Sequence, residues 1–220
     1  MSTSDYEPAN QLYKLGGMSS DMPNTYIVNH CSGGFIYKLT NHQYTNPFIW
    51  SLIDYESMAN LVTRLPDIDF RKIKLISDFW SEPVIEIDDC VRVIYPHIKL
   101  DWGAKTPRIN GVDVFTDKPG IYAVDKYIVR AKRMFSGKYQ PVFIISEDSD
   151  YRPAAMPIDK VLLFSEIVKQ KGTYFPCYVF THTKDVKDLV ECKYIKYFFT
   201  QYGRACPFAQ YLIDNRFIVL

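Results

Sequence analysis

Tyr26-Ile27-Val28-Asn29-His30-Cys31-Ser32-Gly33-Gly34-Phe35-Ile36-Tyr37 is an apolar run that passes straight into a polar turn, after which apolar residues resume. The run predicts a strand over Tyr26–Asn29, and the residues from Phe35 to Leu39 predict a short helix. Strand, glycine-bearing polar turn, helix is the unit by which α/β proteins set reactive groups at the carboxyl end of a sheet. Asn, His, Cys and Ser at such a turn are all capable of chemistry, so the turn around Cys31 is the first candidate site.

Working outward, the same alternation continues. Tyr55, Met58, Leu61, Val62 and Leu65 recur at helical spacing, and Pro66 ends that helix. Lys72–Ser77 reads as a strand or a helical turn. Val84–Ile87 and Val91–Tyr95, split by Asp88-Asp89-Cys90, read as a hairpin or a closely connected strand pair. Residues 101–120 contain Gly103, Pro107, Asn110-Gly111 and Pro119-Gly120, which predict a long turn-rich loop. Tyr122–Phe135 is a helix by its spacing. Pro141–Ser146 is a buried strand, Ile158–Lys171 a helix capped by Gly172, and Cys177–Thr181 and Tyr194–Phe199 are strands. Phe208–Ile213 predicts a last helix. Strands alternating with helices imply one layered α/β domain over 24–220, with a mainly parallel sheet flanked by helices. Residues 1–23 read as an extended or partly disordered lead-in.

Composition narrows the function classes. The chain has 220 residues, enough for one substantial core. A net charge of +1 gives no support to a broad nucleic-acid-binding face. No apolar run approaches the length of a membrane-spanning helix. The lead-in lacks the basic-then-apolar order of a signal peptide. Five cysteines without tight pairs suggest reduced thiols, and the expectation is a cytoplasmic protein. No Cys/His cluster suggests a metal. Aromatics reach 15%, which suits either an aromatic-rich core or a groove for sugars and other rings. Oligomeric state is not legible.

His30, His97 and His182 each follow a predicted strand. If those strands are parallel, the three lie along one sheet edge. Cys31 at a helix start would gain thiolate character, and a nearby imidazole would make it a nucleophile–base pair. His97 is the preferred base, because His30 neighbours Cys31 in sequence and directs its ring elsewhere. Asp101, or one of the acids at 147–150, could orient that base. Ser32 is a competing nucleophile. Gly33 and Gly34 would leave backbone N–H groups for an oxyanion or phosphate. Asn29, His30, Asp148 and His182 are further substrate-binding candidates. Arg130 and Arg133, within a basic run from Lys126 to Lys138, are candidates for cofactor phosphates. The Glu147-Asp148-Ser149-Asp150 cluster supports an alternative, a glycosyltransferase that binds a nucleotide-sugar diphosphate. Each motif also has a plain structural reading: a turn-packing thiol, a solvated acidic turn, the wet face of a helix.

The Asn29–Tyr37 segment resembles the Asn-Asn-Cys-Trp-Gly-Gly-x-Ile-Tyr opening of a bacterial family of unknown function whose members are described as exopolysaccharide biosynthesis proteins. Tyr44-Thr45-Asn46-Pro47-Phe48-Ile49-Trp50, Pro83–Asp89 with Ile94-Tyr95-Pro96-His97, Lys126–Met134, Phe143–Asp150 and Val179–Lys184 are similar to its later segments. His30 stands where that family has a second Asn, and Ser32 where it has Trp. Cys31, Gly33, Gly34 and His97 match. A distantly similar opening occurs in a capsule acetyltransferase that binds coenzyme A and in a group labelled papain-like cysteine peptidases. The resemblance implies an enzyme of surface-polysaccharide assembly, an O-acyltransferase that takes acetyl-CoA as donor and a glycan or nucleotide sugar as acceptor. A papain-like cysteine hydrolase is the alternative it carries.

Overall fold

The computed structural model describes residues 22–79, 82–96, 108–109, 112–113, 118–134, 136, 138–147, 157–173, 175–182, 195–202 and 205–218. His97, Asp101, Asp148 and the lead-in before residue 22 lie outside them. In chain order the elements are β1 (Asn24–Val28), α1 (Ser32–Leu39), β2 (Leu52–Ile53), α2 (Tyr55–Arg64), β3 (Ile73–Phe79), β4 (Glu82–Ile87) and β5 (Val91–Ile94). There follow β6 (Arg108–Ile109), β7 (Val112–Asp113), α3 (Lys118–Met134), β8 (Gln140–Ser146), α4 (Ile158–Lys171), β9 (Cys177–Thr181), β10 (Ile195–Phe199) and α5 (Ala205–Asp214).

The fold is α/β, and it has two four-stranded sheets. Sheet A runs β1-β8-β9-β10, every pair parallel. Its strands read as continuous apolar runs because both faces are covered. Ile27, Phe143, Ile145, Cys177, Val179 and Ile195 enter one core with α2, α3, α4 and strands of the second sheet. The alternate residues Tyr26, Val28, Val142, Ile144 and Phe180 enter another with α1 and α5. Each neighbour in the sequence therefore serves the opposite face, as the strand period requires.

Sheet B runs β2-β5-β4-β3, every pair antiparallel. This corrects the reading of His97: β5, the strand before it, does not belong to the parallel sheet. The argument from a shared carboxyl edge applies to His30 and His182 alone. The backbone N–H of Ile53 donates to Asn29 O at 2.8 Å, so sheet B is tied to the carboxyl end of β1.

The stretch 101–120, expected to be a loop, holds the β6–β7 pair and the first turn of α3. Pro119 is tolerated in a helix's first turn. Ends of other helices follow stated signals. Asp54 caps α2 by accepting from Ser57 N at 2.7 Å. Gly172, at φ +79°, terminates α4.

Candidate active site at the carboxyl edge of the parallel sheet

The strand–turn–helix unit is present as expected: β1 ends at Val28, and α1 begins at Ser32 with Cys31 as its N-cap. Asn29 continues the ladder with its side chain. Its Nδ2 donates to Ser146 O at 3.0 Å, and its Oδ1 accepts from Ser146 N at 2.9 Å. These two bonds fix Ser146, the last residue of β8, beside the turn.

The His30 ring lies between two serines. Its Nε2 meets Ser146 Oγ, and its Nδ1 lies 2.9 Å from Ser32 Oγ. Ser32 Oγ in turn donates to Ala205 O at 2.9 Å, at the start of α5. A carbonyl only accepts, so the single Ser32 proton points to Ala205. The Ser32 N–H donates to Nδ1 at 3.3 Å in the tautomer with Nδ1 unprotonated, and Nε2–H then faces Ser146 Oγ. In the tautomer protonated at Nδ1, Nδ1–H donates to Ser32 Oγ and Nε2 accepts from the Ser146 hydroxyl, giving a one-way chain: Ser146 O–H to His30, His30 N–H to Ser32, Ser32 O–H to the main chain.

His30, Ser32 and Ser146 are all buried, at 2% exposure or less. Burial lowers the His30 pKa to about 4, because an imidazolium here would lack solvent. The ring is therefore neutral at pH 7.

A second pair of groups stands on the next strands. Glu147 Oε2 accepts from Thr181 Oγ1 at 2.6 Å and from His182 N at 2.9 Å. His182 Nδ1–H donates to Thr200 O at 2.8 Å, which holds the ring at the end of β9. Both residues are half-buried. Thus Asn29, His30, Ser146, Glu147, His182 and Thr200 lie at the carboxyl ends of four adjacent parallel strands, where α/β sites form.

Cys31 is fully buried and packs with Leu52 and Ala205. Ile94, three residues before His97, packs on the same cluster. The Gly33 and Gly34 amides were expected to be accessible. They instead donate to His30 O at 3.2 Å and Cys31 O at 3.0 Å, because α1 opens with a tight turn that folds its first amides back. Gly34 has a different purpose: a Cβ there would lie 2.1 Å from Cδ2 of Trp50, whose indole rests on the helix backbone.

No family model matches the chain, and no curated protein matches it.

Arg130 and Arg133 hold the 44–50 segment. Their Nη1 groups donate to Ile49 O at 3.0 Å and Tyr44 O at 3.1 Å, and the Arg130 guanidinium stacks over the Tyr44 ring. Among the described residues no group of three His, Cys, Asp or Glu side chains is placed to hold a metal. Ser146 was missed in the sequence. The available signal was a hydroxyl closing an otherwise apolar run, but its partner is 116 residues away.

Proposed function

We propose that this chain is an O-acyltransferase of surface-polysaccharide assembly, with Ser146 as nucleophile, His30 as its base and Ser32 as the group that orients the base. The buried Ser146–His30–Ser32 contacts carry this reading, with His30 acting in the tautomer protonated at Nδ1. A neutral imidazole that accepts a serine proton through one nitrogen, while the other is held by a fixed acceptor, is the arrangement nucleophilic acyl transfer needs. The substrate class comes from the resemblance in the Asn29–Tyr37 and Tyr44–Trp50 segments.

Ser146 Oγ attacks the thioester carbonyl of acetyl-CoA, and its proton passes to His30 Nε2. The C–S bond breaks, the coenzyme leaves as thiol with that proton, and acetyl-Ser146 remains. A sugar hydroxyl then attacks the ester carbonyl, giving its proton to His30; the bond from the acyl carbon to Ser146 Oγ breaks, His30 returns the proton to that oxygen, and the acetyl group leaves as the sugar ester. The pair is buried, so water is kept from the ester. His182, at the end of the strand next to that of Ser146, is the group assigned to bind the acceptor sugar.

Intact-protein mass after incubation with acetyl-CoA tests this. Wild type and Cys31→Ala are expected to carry one acetyl group, and Ser146→Ala none. His30→Gln is expected to slow acetylation by about 10²–10⁴-fold. An adduct that survives Ser146→Ala but not Cys31→Ala would overturn the serine route in favour of Cys31, whose cluster contains Ile94 on the approach to His97.

A further inference from the structure

Sheet A carries a second feature at its other end. A cleft of about 240 Å³ opens among Asn24, Tyr26, Val142, Tyr178, Lys196, Phe198, Arg216 and Phe217. These are residues of the amino-terminal halves of β1, β8 and β9, of β10, and of the turn after α5. Val142 is four residues before Ser146, which along a strand is roughly 13 Å. The cleft is thus separate from the edge assigned to acyl transfer, and nothing in that reading uses it.

Its lining has two parts. Tyr178, Phe198 and Phe217 form a ring cluster, with Phe198 and Phe217 edge to face at 4.8 Å and Tyr178 at 5.9 and 6.3 Å from them. Lys196 and Arg216 are exposed and make no ion pair among the described residues. Two cations of the same sign beside one small aromatic cleft call for an anionic ligand with a flat apolar part. Asn24 adds an amide that can read a polar ring edge; one of its protons goes to Tyr26 Oη at 3.1 Å.

Arg216 is also in an unusual backbone state. After α5 the Phe217 N–H donates to Leu212 O and the Arg216 N–H to Ile213 O, the two bonds of a helix-ending motif that normally places glycine at the position of Arg216. Arg216 adopts φ +59°. A long cationic side chain at a position suited to glycine is a local cost, and such costs gather at binding sites.

We infer that this cleft binds a nucleotide, with the base against Tyr178, Phe198 and Phe217 and the phosphate on Lys196 and Arg216. The volume lies below the roughly 300–1,000 Å³ of sites that enclose a whole drug-sized molecule. It therefore takes the base, and the sugar and phosphate stay at the rim where the cations stand.

Calorimetric titration of the full chain with AMP and UMP tests the site, with adenosine, uridine and inorganic phosphate as partial ligands. At least one nucleotide is expected to bind with Kd below about 1 mM. The matching nucleoside and free phosphate should each bind at least tenfold more weakly. Lys196→Glu with Arg216→Glu should weaken the nucleotide at least tenfold, whereas Ser146→Ala should leave it unchanged. Arg216→Gly separates structure from binding: it relieves the backbone, so Tm should rise by a few degrees while nucleotide affinity falls. Absence of saturable binding by both nucleotides, equal binding of phosphate alone, or full affinity in the doubly substituted protein would each overturn the assignment. Absence of acetylation in the wild-type chain, with nucleotide binding present, would sink the acyl-transfer reading and leave this one standing.

Discussion

His30 couples the candidate site to the stability of the fold. Its pKa is about 4 in the folded chain against about 6.5 when exposed, so the unfolded state binds more protons between those values. Stability is therefore full above pH 6.5 and falls as pH drops toward 4, by an amount on the order of 3 kcal/mol. Urea unfolding from pH 7.5 to 4.5 measures this, and His30→Gln should flatten the part of the slope due to this ring. A second buried position behaves differently. Tyr37 Oη accepts from Tyr26 N at 3.0 Å and lies 2.7 Å from Thr45 Oγ1 and 3.2 Å from Thr25 Oγ1. Tyr37→Phe would leave the Tyr26 amide without this acceptor, and a loss of about 1–3 kcal/mol is expected in chemical denaturation. A change below about 0.5 kcal/mol would mean that another group takes the amide over.

At the scale of elements, two turns invite opposite substitutions. The three-residue β4–β5 connection, Asp88-Asp89-Cys90, places both Asp88 and Asp89 at positive φ, 48° and 53°, at the centre of a turn closed by Cys90 N–H on Ile87 O at 3.1 Å. Asp88 is engaged by Asp69 N and Lys72, whereas Asp89 is exposed and pairs only with Lys74 among the described residues. Asp89→Gly should therefore stabilise the protein by about 0.5–1 kcal/mol, read as a rise in Tm. Gly34→Ala should do the reverse. Its Cβ would enter the Trp50 ring, and Trp50 is itself held at φ +60° with Nε1 on Tyr44 Oη at 3.1 Å. A loss near 3 kcal/mol is expected; unchanged stability would show that the Trp50 ring moves freely. These elements also show what the sequence made legible. Ile158–Lys171 was readable to the residue, because its periodic face ends at a glycine. Cys177–Thr181 was readable because a buried parallel strand is an apolar run. Leu52-Ile53 was not, since two residues carry no period. The Ser146–His30 contact was not either: it exists only because β8 lies beside β1, and pairing partners so distant leave no local trace. Nor did spacing reveal that Gly34 answers to Trp50 rather than to a ligand.

For the whole molecule, burial in sheet A ranks the strands. β8 lies between β1 and β9, and its six residues from Pro141 to Ser146 are buried, whereas the edge strand β10 alternates buried and exposed. Amide exchange should therefore be slowest at Phe143–Ile145, opening only with global unfolding, and faster across Ile195–Phe199. Equal protection of both would contradict that ranking. The same sheet order bears on how the chain is made. β1 pairs only with β8 within the sheet, and Val28 meets Ile144 across 116 positions. At translation speeds of about 5–20 residues per second, Tyr26-Ile27-Val28 leaves the ribosome roughly 6–23 s before its partner is synthesised. During that interval it is a sticky strand edge, and sheet A cannot nucleate from its first strand. The nascent protein must shelter this segment against early contacts or a chaperone, so the residues of the candidate turn are not locked in place until β8 has been made.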